Sequence, residues 1–223
     1  GLPLITMSLL PFVISIEAAI AMSALVQPAT NIGQIIQSGG FKKALKDTTP
    51  VLLTLAPGIA IGTYLLSKLD SNIITTLAGV MVIAFALYNL SGLKFFIPQG
   101  IRWPVGLGAG LVAGISGGLT SINGFLFIMY LVGIDQDRQS FRSSIAVLFI
   151  VSGAMVSSGL WAVGIVNLDI FMLAMFALLP AAIGMWAGNI FGKKISNEKF
   201  RKIVLFGLLI IGTVFIVRAI SGS

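Results

Sequence analysis

The stretch Gly114–Phe125 reads GISGGLTSINGF, and it interrupts an otherwise apolar segment at Val105–Leu131. It holds four glycines, three hydroxyl side chains and one asparagine. Glycine-rich polar backbone is costly in hydrocarbon unless protein or water satisfies its amides. The stretch therefore predicts a break between two half-helices, the first ending near Leu119 and the second running from Asn123 to Gly133.

The composition of the whole chain indicates a protein embedded in lipid. Of its 223 residues, 57% are hydrophobic and 9% are charged, too few charges to cover the surface of a soluble domain. Apolar segments long enough to cross roughly 30 Å of hydrocarbon recur along the chain. The full-length ones are Phe12–Ser38, Thr49–Leu66, Ile73–Leu93, Phe141–Val163, Leu168–Phe191 and Ile203–Ile220. We expect an all-α polytopic membrane protein.

Missing residue types exclude several classes of function. The chain has no cysteine and no histidine, which removes disulfides, thiol catalysis, most zinc and haem chemistry and histidine-based proton transfer. The sequence shows no pair of buried acids, nucleophile–base pair or metal cluster, so we expect neither an enzyme nor a cofactor. The net charge of +7 comes mostly from short connections between apolar segments, where it indicates topology rather than nucleic-acid binding.

The chain repeats its own order of segments. When Gly58 is placed on Gly184, Gly62 falls on Gly188 and the apolar segments that follow stay in register. Each half then has a short apolar segment followed by three full-length ones, a construction common in secondary transporters. We expect a first repeat at 1–93, a cytoplasmic linker at 94–104 and a second repeat at 105–223.

Charged residues suggest that the two repeats have opposite orientations. The connection with Lys42, Lys43 and Lys46 is basic, whereas its counterpart at 166–169 has no lysine or arginine. The connection around Lys68 is neutral, and its counterpart at 193–202 is basic. Because basic connections face the cytoplasm, equivalent connections lie on opposite sides, as in an inverted repeat.

The same rule predicts that the opening stretch turns back within the membrane. The linker at 94–104 and the basic connection at 193–202 should both be cytoplasmic, and two full-length segments already separate them. The segment Val105–Leu131 must then add no crossing. We expect it to form a re-entrant hairpin with its turn at Thr120–Gly124.

The turn of this hairpin has the chemistry of an anion site. Free N–H groups and the partial positive charge at the start of the second half-helix favour an anion. Hydroxyl and amide side chains can bind the ligand, and glycines let it approach the backbone. We expect substrate-binding roles for Gly117, Gly118, Thr120, Ser121, Asn123 and Gly124. By the repeat, Gly1 should begin a matching half-helix, with the rest of that re-entrant arm missing from the sequence.

Glycines in this segment have a second possible role, in packing. The spacing GxxxG lets helix backbones approach closely in membranes. It occurs at Gly106/Gly110/Gly114/Gly118, at Gly58/Gly62 and at Gly184/Gly188. We expect Gly106 and Gly110 to serve packing.

A second polar cluster lies in the first full-length segment. Pro28 breaks a helix there and frees carbonyls, while Gln27, Thr30 and Asn31 share one face at i, i+3, i+4 spacing. These side chains either line a substrate pathway or form hydrogen bonds between helices, and the pattern leaves both open. Weaker candidates, since serine often bonds to its own helix, are Ser143, Ser144, Ser152, Ser157 and Ser158.

Two charged side chains are candidates for gating or coupling. Arg142 could counter an anion near the cytoplasmic mouth, although such an arginine more often extends to the membrane interface. Glu17 is the only acid well inside a predicted span, where acids often couple transport to protons. It lies only a turn or two from the start of its helix.

These motifs together resemble the sulfite exporter TauE/SafE family. The resemblance rests on Gly106–Gly124, the arginine-led segment at 141–146, Gly184-xxx-Gly188 and, in the first half, Phe41 to Gly62. It implies two homologous halves that move sulfite, thiosulfate, sulfonates and related small anions across a bacterial inner membrane. Relatives often have a Gly-Ile-Gly-Gly-Pro-like run where this chain has Ser121-Ile-Asn-Gly-Phe125, which leaves its own substrate open.

We therefore expect a multi-pass secondary transporter of the bacterial cell inner membrane, working as an exporter by alternating access. Its substrate would be a small anion such as sulfite or an organosulfonate, bound at the midplane. Further partners would be the lipid bilayer, a coupling proton or sodium ion and a second copy in a homodimer, but no nucleic acid. A passive anion channel and a non-transporting membrane scaffold subunit are the alternatives.

Overall fold

The computed structural model describes residues 10–92, 96–191 and 197–221, except for the side chains of residues 11, 37, 185–204 and 221. This part of the chain forms eight α-helices and no strand. The helices are α1 (Ile16–Ser38), α2 (Phe41–Leu66), α3 (Ser71–Ser91), α4 (Arg102–Thr120), α5 (Gly124–Gly133), α6 (Arg138–Ala162), α7 (Leu168–Phe191) and α8 (Asn197–Ser221). Short 3-10 turns lie at Leu10–Phe12 and Gln99–Ile101. The all-α prediction is confirmed, and so is the break between α4 and α5.

Helices occupy all six segments that the sequence predicts to span a membrane. Within the described residues, α2, α3 and α6 are long and apolar enough to cross one, judged by length and composition. The described parts of α7 and α8 contain shorter apolar stretches, Leu168–Gly184 and Leu205–Ile220. The chain is therefore a multi-pass helical membrane protein.

The start of α2 differs from expectation. Its lysines, expected in a connection, lie in the first turns of the helix. Gly39 and Gly40 both adopt positive φ, at 64° and 68°, a conformation that glycine reaches without steric cost. The turn between α1 and α2 is complete within these two residues, so Phe41 already begins the next helix.

Two ion pairs bring the starts of α2, α4 and α6 to one end of the bundle. Lys43 Nζ lies 3.3 Å from Asp137 Oδ2, directly before α6. Arg102 Nη2, at the start of α4, lies 3.1 Å from Asp47 Oδ1 of α2. We call this the basic end, since the first turns of α2 and α6 also carry Lys42, Lys46, Arg138 and Arg142.

Asp137 is the N-cap of α6 and stays ionised. Its carboxylate accepts hydrogen bonds from the Ser140 hydroxyl at 2.6 Å and from the Ser140 amide at 2.9 Å. These bonds, followed by the attraction of Lys43, hold the pKa of Asp137 well below its usual range. Because the folded-state pKa is depressed, the cap's contribution to stability is present at neutral pH and is lost only in strong acid.

Helices α4 and α5 form a hairpin whose two ends both lie near the basic end. The backbone N–H of Ile97, just before α4, donates to the carbonyl of Gly133, the last residue of α5, at 2.7 Å. Tyr130 of α5 lies against Gly106 in the second turn of α4. The two helices are therefore antiparallel, with lengths of about 28 Å and 15 Å. The hairpin returns to the end of the bundle from which it began.

Helix α4 lies parallel to α2 with the two backbones in direct contact. A Cβ built on Gly114 would be 2.5 Å from the carbonyl oxygen of Leu55, and one on Gly58 would be 2.5 Å from that of Leu111. Such distances leave no room for any side chain. Close backbone approach also permits Cα–H···O contacts between the helices. The packing role of the GxxxG spacing is confirmed for this pair of helices.

The same contact extends over both ends of the interface. Gly62 meets the backbone at Gly118, and Gly110 meets the backbone at Val51. A hydrogen bond of 2.6 Å from Thr54 Oγ1 to the carbonyl of Leu107 crosses between the helices. On α7, by contrast, a Cβ on Gly184 would meet nothing within 4 Å, while Gly188 falls outside the described side chains.

Helix α1 lies antiparallel to α6. At the basic end, Ser143 Oγ donates to the carbonyl of Gly39 at 2.6 Å and lies 3.0 Å from Ser38 Oγ. Further along, the ring of Pro28 packs on Gly153, where a Cβ would be 2.8 Å from Pro28 Cδ. Glycine at 153 thus accommodates this proline. The expectation that Pro28 breaks the helix is wrong, since α1 continues through it to Ser38. We call the contact between α1 and α6 the seam.

The opposite end of the bundle holds the starts of α1 and α3. Ser71, the first residue of α3, donates to the carboxylate of Glu17 in the first turn of α1. Helix α8 packs on α3 through Gly79 and Gly212, where a Cβ on Gly79 would be 2.8 Å from the Gly212 carbonyl oxygen. The described helices thus form one bundle around the hairpin.

Replacing Gly114 by alanine should lower the free energy of unfolding by about 1–3 kcal/mol, because the added methyl pushes the α2 and α4 backbones apart. The matched control is Gly108→Ala in the same helix, where a Cβ meets nothing within 4 Å and helix propensity favours alanine. Thermal unfolding in detergent, followed by tryptophan fluorescence, compares the two. Equal melting temperatures would show that the interface does not depend on its glycines.

Candidate functional site

The turn between α4 and α5, residues Thr120–Gly124, has a defined backbone conformation, and we call it the tip. Ser121 adopts positive φ (56°), and its N–H donates to the carbonyl of Gly117 at 2.8 Å, which closes α4. Thr120 Oγ1 accepts the N–H of Ile122 at 3.2 Å and lies 2.8 Å from the Ser116 carbonyl. The tip is therefore held by its own hydrogen bonds.

Asn123 is almost fully enclosed at the tip, with 1% of its surface exposed. Its Nδ2 donates to Ser152 Oγ on α6, whereas its Oδ1 has no hydrogen-bond partner among the described residues. Gly117 makes room for this side chain, since a Cβ there would be 2.5 Å from Asn123 Nδ2. One end of the amide is fixed and the other is free.

The tip also contacts α1 and α3. Ser121 Oγ donates to the carbonyl of Ile20 on α1 at 3.1 Å. Thr120 Oγ1 lies 3.4 Å from the sulfur of Met81, the middle residue of α3. Together with Ser152, these contacts place the tip beside the middle of α3 and α6, where buried polar groups are costly unless they are paired.

The start of α5 faces an aromatic ring. The first N–H groups of a helix have no partner within the helix, and the carbonyl of Asn123 accepts only the later amides of Leu126 and Phe127. A Cβ on Gly124 would be 2.9 Å from Phe149 Cζ, so glycine lets this ring pack against the first residue of α5.

Gln27 is the polar side chain of α1 most suited to join the tip. It is 4% exposed, and its Nε2 has no partner among the described residues. Gln27 lies seven residues after Ile20, which puts both on the same face of the helix. That face contacts the tip through the Ile20 carbonyl.

Thr30 and Asn31 use their donors on their own helix. Thr30 Oγ1 lies 2.9 Å from the Gln27 carbonyl, and Asn31 Nδ2 lies 2.8 Å from the same oxygen. Both residues are only partly buried. Thr30 and Asn31 are therefore backbone partners within α1, whereas Gln27 Nε2 has no partner among the described residues.

The glycines expected at the site take three different positions. Gly118 faces the α2 backbone near Ile59 and Thr63, Gly117 packs against Asn123, and Gly124 packs against Phe149.

The two charged candidates, Arg142 and Glu17, lie away from the tip. Arg142 is exposed at the basic end, and Glu17 lines a cavity of about 260 Å³ at the opposite end, with Ser71, Asn72, Thr75 and Arg218.

Sequence reasoning missed Ser23. It is 6% exposed and its hydroxyl has no partner among the described residues. Its position four residues before Gln27, on the same helix face, was the available signal. Ser152 was a weak candidate, and its bond to Asn123 could not be read from the sequence because the two residues are 29 positions apart.

Comparison with known proteins gives one match. A family model described as sulfite exporter TauE/SafE matches residues 1–215. No curated protein and no solved structure matches the chain. The match includes the hairpin, the seam and most of α8, so it covers every element that contributes to the tip.

Replacing Ser152 by alanine should cost about 1–3 kcal/mol of stability, because both ends of the buried Asn123 amide would then lack a partner. Ser158→Ala is the control in the same helix, since Ser158 is exposed and bonds only to the Ala154 carbonyl of its own turn, at 2.9 Å. We expect that control to stay within about 0.5 kcal/mol of the parent. Indistinguishable unfolding curves in detergent would contradict the proposed importance of the Asn123–Ser152 bond.

Proposed function

Because the chain belongs to the sulfite exporter TauE/SafE family, we propose that it is a secondary transporter that exports a small anion such as sulfite or an organosulfonate. The membrane would be the bacterial cell inner membrane. Substrate would bind at the tip of the α4–α5 hairpin, near the midplane, and would reach alternate sides of the membrane in turn. No ATP-binding motif occurs in the sequence, so a coupling proton or sodium ion would supply the energy.

The free end of the Asn123 amide is the observation that carries this proposal. Buried polar atoms are normally paired, and this one lies beside the first amides of α5. Gln27 Nε2, on the face of α1 that contacts the tip, also lacks a partner among the described residues. A water molecule can donate to Asn123 Oδ1 and accept from Gln27 Nε2, whereas an anion only accepts and therefore requires the Asn123 amide to turn.

The electrostatics of the tip favour a negative ligand. The start of α5 carries a partial positive charge, and the side chains at the tip are neutral. The Ser152 hydroxyl can donate as well as accept, so a turn of the Asn123 amide keeps their bond and presents Nδ2 to an anion. Neutral donors bind a dehydrated oxyanion without holding it as tightly as a buried cation would.

Helix directions support the proposed inverted repeat, with halves at 1–93 and 105–223 joined by the linker at 94–104. Under that repeat, α1 corresponds to α6 and α3 to α8. Each of these pairs is in contact, and α1 is antiparallel to α6, as equivalent helices related by an axis in the membrane plane would be. The matching half-helix at Gly1 lies outside the described residues.

The α2–α4 interface limits which parts can move. Its backbones interlock along the whole of α4, and Arg102–Asp47 fixes the base. The hairpin would therefore travel with α2, which belongs to the other repeat. The tip contacts α1 and α6 through one side-chain hydrogen bond each, so we propose that these contacts change during transport. Glu17 would serve coupling at the opposite end.

Sulfite or an organosulfonate should raise the melting temperature of the purified protein. A ligand at 100 times its dissociation constant stabilises a protein by about 2.7 kcal/mol. Asn123→Leu and Ser121→Leu should abolish the shift, because each removes a polar group from the tip. Thermal unfolding with and without the anion measures this shift in melting temperature.

Ser158→Leu provides the control for these substitutions, since the same change at an exposed position of α6 should preserve the shift. If the parent protein were stabilised and both tip variants responded equally well, the anion would bind elsewhere.

Reconstituted protein should accumulate sulfite against its concentration gradient when a proton or sodium gradient is imposed on proteoliposomes. Uphill accumulation requires coupling, which a passive channel lacks. Flux that only follows the sulfite gradient would identify a channel instead. Absence of flux for every anion tested, with stable co-purification of a partner protein, would favour the scaffold alternative.

A further inference from the structure

The cavity of about 260 Å³ at the end of the bundle opposite the basic end lies where α1 and α3 begin and α8 finishes. Because these helix ends mark the boundary of the membrane, the cavity is at the level of the lipid headgroups. Its volume is just below the roughly 300–1,000 Å³ of pockets for drug-sized ligands, which suits a small polar group. The polar residues that line it are Ser15, Glu17, Ser71, Asn72, Thr75 and Arg218.

The cavity contains one charge of each sign. Among the described residues that line it, Glu17 is the acid and Arg218 is the base, and both side chains are half-buried. An ion of either sign would be attracted by one of them and repelled by the other. A ligand that carries a positive and a negative group is attracted by both. The charges of the cavity therefore favour a zwitterion.

Glu17 has hydrogen-bonding capacity left for the positive group of such a ligand. Its Oε1 accepts from the hydroxyl of Ser71. A carboxylate has about four lone-pair sites, so it can accept further N–H bonds from a ligand. A primary ammonium group offers three N–H donors, whereas a quaternary ammonium group offers none. The carboxylate can therefore distinguish between these two kinds of headgroup.

Arg218 is held at the cavity by aromatic side chains. Its Cζ lies 5.2 Å from the centroid of the Phe12 ring, and that ring lies 6.0 Å from the ring of Phe215, which also lines the cavity. The cation–π contact restrains the guanidinium. The planar guanidinium matches the geometry of phosphate oxygens. Arg218 is therefore suited to bind the negative group of the zwitterion.

Apolar side chains flank the lining residues in the sequence. Val13, Ile73 and Ile220 each directly adjoin a lining residue, and they are 84%, 45% and 79% exposed. In a membrane protein such side chains are stable against hydrocarbon rather than water. A ligand with acyl chains can place them against this surface while its headgroup enters the cavity. The surroundings therefore favour a lipid over a soluble zwitterion.

We propose that this cavity binds the headgroup of an ethanolamine phospholipid from the leaflet opposite the basic end. Arg218 binds the phosphate, Glu17 binds the primary ammonium group, and the acyl chains lie against the apolar side chains outside. The bound lipid joins the ends of α1, α3 and α8. The site is separate from the tip, so the inference does not depend on the transported anion. A coupling ion at Glu17 would compete with the ammonium group.

Lipid binding to the purified protein, counted by native mass spectrometry, tests the site. Phosphatidylethanolamine should bind about tenfold more tightly than phosphatidylcholine with the same acyl chains, because the choline group has no N–H to donate to Glu17. Glu17→Gln should remove this preference, and its amide oxygen can still accept from Ser71. Arg218→Gln should weaken the binding of both lipids about tenfold, since both carry the phosphate.

Asp70→Asn and Lys68→Gln are the matched controls. Each removes one charge at the same end of the bundle, from an exposed residue that does not line the cavity. The binding of both lipids should stay within about twofold of the parent, since exposed charges contribute little. Equal loss of binding in a control and in the corresponding cavity variant would show a general effect of charge and would overturn the site.

Two further outcomes would contradict the proposal. Equal binding of the two lipids to the parent, or a preference that survives Glu17→Gln, would show that Glu17 does not recognise the ammonium group. The soluble compound glycerophosphoethanolamine has the same phosphate and primary ammonium but no acyl chains, so it should compete only weakly with the lipid. If it displaced the lipid at equal concentration, the cavity would be a site for a soluble zwitterion and the lipid proposal would fail.

Discussion

The backbone contact between α2 and α4 positions the rest of the bundle. Because neither helix has a Cβ at the points of contact, the two axes approach more closely than side chains would allow. This contact fixes α4 over its full length, and the ion pair between Arg102 and Asp47 fixes its base. The tip then stands at a set depth beside α1, α3 and α6. A bulkier residue at Gly114 would shift that depth as well as the packing.

Fixing α4 in this way makes an irregular tip possible. The break at Ser121–Asn123 would be unstable in lipid, but α4 and the neighbouring helices give partners to several of its polar groups, among them the Ser121 amide and the hydroxyl of Ser121. The Oδ1 of Asn123 has no partner among the described residues. An unsatisfied buried group costs about 1–3 kcal/mol. A ligand bound there as proposed would offset that cost, so the irregularity that destabilises the tip would contribute to the affinity for the ligand.

The sequence predicted the elements well because their signals are local. The break at Ser121–Asn123 follows from polar, glycine-rich residues within an apolar run, and charge in the connections predicted the side on which the hairpin ends. Contacts between distant elements were not predictable. The spacing of Gly58 and Gly114 shows that each helix can pack closely, but it does not show that they pack on each other. The same holds for Asn123 and Ser152, and for the unpaired hydroxyl of Ser23.

Because of the position of the hairpin, the two sequence repeats are not the two sets of helices that would move as rigid units. Residues 105–223 were expected to act as one half, yet α4 interlocks with α2 of the first half and makes fewer contacts with its own neighbour α6. If the two halves moved as units, α2 and α4 would have to slide along each other. Their interface resists sliding because the ridges of one helix lie in the grooves of the other. At the seam, by contrast, close approach at a glycine is confined among the described residues to Gly153, which meets Pro28 and the Ala24 carbonyl. If the chain transports an anion as proposed, the contacts that change would be those of the tip with α1 and α6 rather than the α2–α4 interface.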